Sequence, residues 1–182
     1  MFRFSKFLLP LLLFILGSQA VVAQVYLGGT YVNSEFGPSG LQVHNGFGAL
    51  VQRQFYLQES RFSLTPTLQG NLLNSRQDRE LAELHMTISL ATHINYDIVA
   101  TPRFRLTPFV GPAFVYASGL RAQDLFFNET AINFTRIALE TGFSFTYVHS
   151  DRFSIKCYPL TYMWGNSEFR QGNVATFIFQ LP

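Results

Sequence analysis

Glu83-Leu84-His85-Met86-Thr87-Ile88-Ser89-Leu90-Ala91-Thr92-His93-Ile94-Asn95-Tyr96-Asp97 alternates side-chain character residue by residue. Leu84, Met86, Ile88, Leu90, Thr92, Ile94 and Tyr96 share one face. Glu83, His85, Thr87, Ser89, Ala91, His93, Asn95 and Asp97 share the other. No apolar stripe recurs at three and four, so the segment reads as a strand and not a helix. Its fifteen residues, at ~3.3 Å each, reach ~50 Å, more than a tilted strand needs to cross a bilayer.

The same alternation returns along the chain. Phe62, Leu64, Pro66, Leu68 and Leu72 oppose Ser63, Thr65, Thr67, Gln69 and Asn71. Phe104, Leu106, Pro108, Val110, Pro112, Phe114 and Tyr116 oppose Arg105, Thr107, Gly111 and Ala113. Ile137, Leu139, Phe143, Phe145 and Tyr147 oppose Arg136, Ala138, Glu140, Gly142, Ser144 and Thr146. A phrase marks three of the starts: Arg61-Phe62-Ser63-Leu64, Arg103-Phe104-Arg105-Leu106 and Arg152-Phe153-Ser154-Ile155. Each follows a short polar turn, so these strands rise from one rim in the same phase. Eight strands are expected, near 24–33, 46–57, 61–73, 82–98, 103–118, 133–148, 152–164 and 173–181. Three tight turns would join them at that rim, and longer loops near 34–45, 74–81, 119–132 and 165–172 at the other.

The N-terminus has the layout of an export signal. Arg3 and Lys6 precede an apolar run, Phe7 to Leu16, too short to span a bilayer, and small residues at Ala20 and Ala23 follow. The expectation is a cleavable signal peptide over 1–23 and one domain over 24–182. Losing Arg3 and Lys6 takes the 13 basic residues to 11, equal to the 11 acidic ones. A neutral mature chain offers nothing to nucleic acid. Cys157 is the single cysteine, so an internal disulfide is excluded.

Composition identifies the solvent. Charged residues make up 13% and Phe occurs 20 times, whereas soluble chains carry ~25% charge. No apolar run after Gln24 approaches the ~20 residues of a membrane helix. An exported, aromatic-rich chain of alternating strands therefore reads as all-β, an eight-stranded antiparallel up-and-down transmembrane β-barrel. A lipocalin-like calyx with the apolar face inward is disfavoured by volume. Eight strands leave an interior barely wide enough for side chains, and the apolar set is mostly Phe, Leu and Ile. Phe62, Tyr96, Phe104 and Phe153 near the turn rim, and Tyr31, Tyr116 and Trp164 near the loop rim, fit two interfacial girdles. Two features fit badly. Pro66, Pro108, Pro112 and Pro159 fall inside strands of a sheet with no free edge. Arg53 lies on the apolar face of the second strand, unless a bulge near Leu50-Val51 or the opposite phase turns it inward.

Signal, strand count, tight turns and phrases such as Leu106-Thr107-Pro108-Phe109-Val110-Gly111-Pro112-Ala113-Phe114 resemble the small outer-membrane β-barrel family of OmpX and the OmpA membrane domain. The resemblance covers the mature chain and rests on architecture. It implies residence in the bacterial outer membrane, with lipids as partners and the long loops outside the cell. Family members often finish on an aromatic residue, whereas this sequence finishes Phe179-Gln180-Leu181-Pro182.

Chemistry is sparse. His85 and His93 share a face but stand ~26 Å apart along the strand, so that pair cannot chelate a metal. His149-Ser150-Asp151 are consecutive turn residues, which suits turn formation better than a nucleophile–base pair. No catalytic residue, cofactor or metal is expected. Asp97, Arg105, Arg136, Glu140 and Lys156 are expected to form a polar network plugging the lumen, because buried charges must be paired or hydrated. Pairing about Ala100-Thr101-Pro102 would set Asp97 opposite Arg105 and Asn95 opposite Thr107, and Gly142 would face Tyr158. Leu125, Phe126 and Phe127, in the longest loop, are the candidate contact for a protein partner. The expected role is non-enzymatic, structural or surface-contacting. An accessory subunit of a secretion or envelope-assembly machine comes next, then a narrow pore, then a lipid A-modifying enzyme.

Overall fold

The computed structural model describes residues 23–36, 42–57, 60–78, 81–122, 129–150 and 152–181. Almost all of the proposed signal peptide, and the Leu125-Phe126-Phe127 contact, lie outside the described residues. The strands are β1 (Ala23–Phe36), β2 (Gln42–Tyr56), β3 (Phe62–Asp78), β4 (Leu81–Tyr96), β5 (Val99–Ala100), β6 (Phe104–Ala122), β7 (Glu129–Ser150), β8 (Phe153–Gly165) and β9 (Arg170–Gln180). All pairings are antiparallel, and β1 against β9 closes the ring. The two-residue β5 continues β4 past a break at Asp97-Ile98, so the barrel has eight walls. Closure leaves no open sheet edge, which is what a β-structure needs where water is absent.

The polar face points inward. Ser63, Thr65, Thr67, Gln69 and Asn71 of β3 are buried, as are His85, Thr87, Ser89, His93 and Asn95 of β4. Leu68, Leu72, Met86, Ile88, Ile94, Val110, Phe114, Ile137, Leu139 and Phe143 are exposed and form an apolar outer band. An inward apolar calyx is thereby excluded. Rings border the band: Phe62 packs on Tyr96 at 4.8 Å near the turns, and Tyr31 meets Phe47 at 5.4 Å toward the other rim.

Toward the loop rim the polarity inverts. Val32, Phe36, Leu73, Val115, Met163 and Phe169 are buried in one cluster inside the barrel. Asn33, Asn45, Asn74, Asn133 and Thr135 stand exposed outside it. Asn33 pairs with Asn45, and Asn45 with Asn74, so these three form one row across β1, β2 and β3. Above that level the outer face mixes Glu35 and Arg170 with exposed Val43 and Trp164, and the interior sets the apolar cluster beside buried Ser34, His44, His85 and Gln171.

That inversion corrects the expected loops. Much of 34–45, 74–81, 119–132 and 165–172 is strand, and β6 and β7 run to 19 and 22 residues. The apolar-out alternation fades there because the surrounding solvent changes, while backbone pairing continues. The β8–β9 connection is a tight turn, with Gly165 N–H donating to Phe169 O at 2.8 Å and Ser167 and Glu168 at φ 53° and 60°.

Each proline expected inside a strand sits at an interruption of a ladder. By register Pro66 faces Arg53, Pro112 faces Thr92, and Pro159 faces Ala175, and none of these pairs is made. Pro108 stands where the β4–β6 ladder stops after Asn95↔Phe109. A proline has no N–H to give, so the ladder skips it. Ala175 takes the strain as a bulge at φ 52°.

Registers near the turns also differ from expectation. Arg105 pairs with Ala100, not Asp97, and Asn95 with Phe109, not Thr107. The turn centres on Pro102-Arg103, where Thr101 N–H donates to Phe104 O at 2.9 Å. Proline favours that second turn position. Gly142 faces Thr161, not Tyr158, because the β7–β8 turn is centred one residue later than expected and the register shifts once more between Gly142 and Phe145. Arg53 does face outward, with no inward bulge. It lies three residues from the end of β2 at Tyr56, ~10 Å from the turns, with its guanidinium 5.0 Å from the Phe55 ring centre. A long cationic side chain there can reach the interface.

Two glycines give a direct test. A Cβ on Gly111 would lie 2.0 Å from Thr92 O, whereas one on Gly70 meets nothing within 4 Å. Gly111→Ala is expected to destabilise the barrel by about 1–3 kcal/mol and Gly70→Ala to be near neutral, in urea titrations of protein refolded in detergent.

Candidate functional site

Among the described residues the lumen is where the fold gathers polar chemistry, because every second residue of eight walls points into it. Near the turns, Thr107 donates to Asp97 Oδ1 at 2.6 Å. The Arg105 guanidinium donates to the Tyr56 hydroxyl and lies 5.1 Å from its ring centre. Lys156 Nζ donates to Gln54 Oε1 at 2.7 Å and sits 4.2 Å above the Tyr26 ring. Gln54 in turn donates to Ser63 Oγ at 2.8 Å, and Asn95 to Thr65 Oγ1 at 2.8 Å. Asp97, Arg105 and Lys156 thus occupy one end of the lumen, each held by neutral partners and not by one another.

At mid-height the Tyr158 hydroxyl lies 2.8 Å from Gln52 Nε2 and 3.0 Å from Gln52 Oε1. The Phe109 ring meets Tyr158 edge-on at 5.6 Å and passes 2.9 Å from where a Gly142 Cβ would stand. Above it, His93 Nε2 contacts Glu140 Oε2 at 2.9 Å, both groups buried. Thr161 donates to Glu140 Oε1 at 3.3 Å, Asn173 to Thr161 at 2.9 Å, and Gln69 to Asn173 at 3.1 Å. Gln69 also donates to Asn71, and Asn71 to Thr87. A cavity of about 20 Å³ remains among Gln52, Thr67, His93, Glu140, Tyr158 and Asn173.

Glu140 therefore joins a different group from Asp97, Arg105 and Lys156. Arg136 joins neither. Its guanidinium lies 4.6 Å from the Phe134 ring centre and donates to Thr135 O at 2.9 Å, near the loop rim. At that rim Phe36 stacks on His44 at 4.1 Å and meets His85 edge-on at 5.1 Å. His44 and His85, on different strands, are 4.8 Å apart between ring centres.

Sequence reading missed the His93–Glu140 and His44–His85 contacts. Both histidines had been compared along one strand, whereas their partners lie around the ring. Glu140 pairs with Gly111, and a Gly111 Cβ would stand 2.8 Å from His93 Cα. A glycine between two long polar residues on one level lets them reach each other.

Chemically, Thr67, His93 and Glu140 stand in the order hydroxyl, imidazole, carboxylate. The Thr67–His93 separation is 3.5 Å, long for an activated nucleophile, and the adjoining cavity has room for about one water. Among the described residues no three His, Cys, Asp or Glu side chains gather as a metal site. His149 lies exposed at the turn rim, 6.2 Å from the Phe153 ring.

No family profile and no curated protein matches the sequence. Solved structures match in fold. The major outer membrane protein of Thermus thermophilus aligns with a TM-score of 0.63 and 9% identity, over 88% of this chain and 98% of its own. Ail, the attachment invasion locus protein of Yersinia pestis, gives 0.57 and 9%, over 87% and 95%. Neisserial surface protein A gives 0.54 and 12%, over 87% and 96%. The fold is that of small outer-membrane barrels.

Removing the Glu140 carboxylate leaves His93 and Thr161 without their buried partner. Glu140→Ala is expected to cost about 3–5 kcal/mol. The His93→Ala/Glu140→Ala pair should cost less than the two singles together, a coupling that a urea double-mutant cycle measures.

Proposed function

We propose that this chain is a bacterial outer-membrane barrel that acts without catalysis and without a conducting lumen, as a structural element with surface contacts at its loop rim. The observation that carries this reading is a pair of opposites in one wall. The lower barrel is apolar outside and filled with interlocked polar side chains inside. An apolar band bordered by aromatic rings suits lipid. A lumen packed at three levels, and capped by Phe36, Phe134 and Phe169, suits a sealed core better than a pathway.

An enzyme would need room for substrate beside its hydroxyl–imidazole–carboxylate line, and the cavity there is about 20 Å³. A pore would need a continuous free section, which eight strands barely allow. Surface contact fits the upper barrel, whose outer wall carries exposed Asn33, Asn45 and Asn74 and whose interior holds an apolar cluster that packs the walls together. Two barrels of this fold are named for attachment and for a surface location. The Leu125-Phe126-Phe127 segment remains the candidate contact at that rim.

The test combines insertion and conductance. Protein refolded into vesicles should migrate differently on gels before and after boiling, as a closed barrel does. In planar bilayers it should give no unitary current. Asp97→Ala removes the acceptor of a buried hydroxyl and should lower stability by about 2 kcal/mol, still without current. Large stepwise conductance in either protein would sink the sealed-core reading.

A further inference from the structure

We propose that the turn rim is a docking surface for anionic phospholipid headgroups, held by Arg61, Arg103 and Arg152. The inference deepens the membrane reading above and rests on it. These arginines are the first residues of the recurring Arg-Phe phrase, and each precedes an exposed ring, Phe62, Phe104 or Phe153. The rings border the apolar band, so the guanidiniums stand at the level where hydrocarbon gives way to headgroups.

The wall fixes their places. Arg61 O accepts from Asp97 N–H and Arg103 O from Val148 N–H, both at 2.9 Å. Arg61 is thereby tied to the end of β4 and Arg103 to that of β7, so neither hangs from a loose turn. They precede β3, β6 and β8, alternate walls of the ring. Neighbouring sites are therefore roughly 10 Å apart across the strands, far enough for separate headgroups.

Among the described residues none of the three is in an ion pair, and the Arg61 guanidinium has only the Ile98 carbonyl at 3.5 Å. The other rim differs: Arg170 faces Glu35 at 3.9 Å, and Arg136 lies over Phe134. Glu59 and Asp151, acidic residues of the same turns, lie outside the described residues. A guanidinium beside lipid can take a phosphate through two parallel hydrogen bonds. Arg53, outward on β2 and partly exposed, extends the same cationic side upward. The headgroup is assigned to phospholipid because the turn rim faces the inner leaflet in this reading.

The full chain would be refolded into phosphatidylcholine vesicles with and without phosphatidylglycerol. Spin-labelled versions of both lipids would report the fraction held at the barrel surface. Each arginine is expected to favour the anionic lipid roughly fivefold. The preference should shrink in high salt and vanish in Arg61→Gln/Arg103→Gln/Arg152→Gln. The triple lysine variant should recover part of it, and Arg170→Gln at the opposite rim should leave it unchanged. A wild type that inserts but shows no preference overturns the headgroup proposal alone. A triple glutamine variant that keeps the preference, or Arg170→Gln that loses it equally, overturns the assignment to this rim. Failure to give a heat-shifted folded band in neutral vesicles would instead remove the membrane reading on which the proposal rests.

Discussion

The interior of an eight-walled barrel is only as wide as the side chains that line it, and every inward residue must fit its neighbours around the ring. This constraint explains where large and small residues stand. Gly111 lies between His93 and Glu140, and Gly142 lies beneath Phe109. Gly119 pairs with His85 and Gly48 with Asn71, and in each case a Cβ would strike the partner's side chain. The glycine makes room for one long residue to lie across the lumen. The polar levels that result are dense because they are short of space, and dense packing in turn demands that each buried polar atom find a partner.

Closure imposes a second demand, on the backbone. A ring with no edge has nowhere to hide a missing N–H, yet four prolines stand inside its walls. The solution is local: the ladder skips two pairs at Pro66 and at Pro112 and one at Pro159, where the opposed strand bulges at Ala175. These gaps are tolerable because the neighbouring pairs on both sides remain intact. The break after Asn95↔Phe109 is larger, since Pro108 coincides with the bend that separates β5 from β4.

Much of this was legible in the sequence. Period-two alternation identified the walls, their number and their inward faces, because in a half-apolar environment each side chain reports its own side. What it could not report was register. Asp97 was matched with Arg105 by assuming a turn centred one residue early, and the error propagated up the hairpin without changing any face. Contacts around the ring, such as His93 with Glu140, depend on register across two strand pairs, so they were hidden for the same reason. Strand ends were misjudged for a different cause. From Asn33, Asn45 and Asn74 upward the outer face mixes polar and apolar residues, Glu35 and Arg170 beside Val43 and Trp164, and the rule that located the lower walls stops applying.

That change of rule has consequences for where activity can reside. A lower barrel filled by its own side chains and dressed in apolar ones has no free surface except toward lipid. The upper barrel carries its own apolar cluster, from Val32 to Phe169, which packs its walls together from inside. Short connections are then an advantage, since paired strands present polar groups such as Asn33 and Asn133 at fixed positions, where long loops would have to be ordered on binding. The two rims end up with different tasks. One carries exposed Asn33 and Asn133 on its outer wall, while the other sets arginines that make no ion pair among the described residues beside rings at the edge of the apolar band. In a barrel this narrow the described side chains fill the interior with one another, which leaves the outer wall and the rims as the surfaces that meet other molecules.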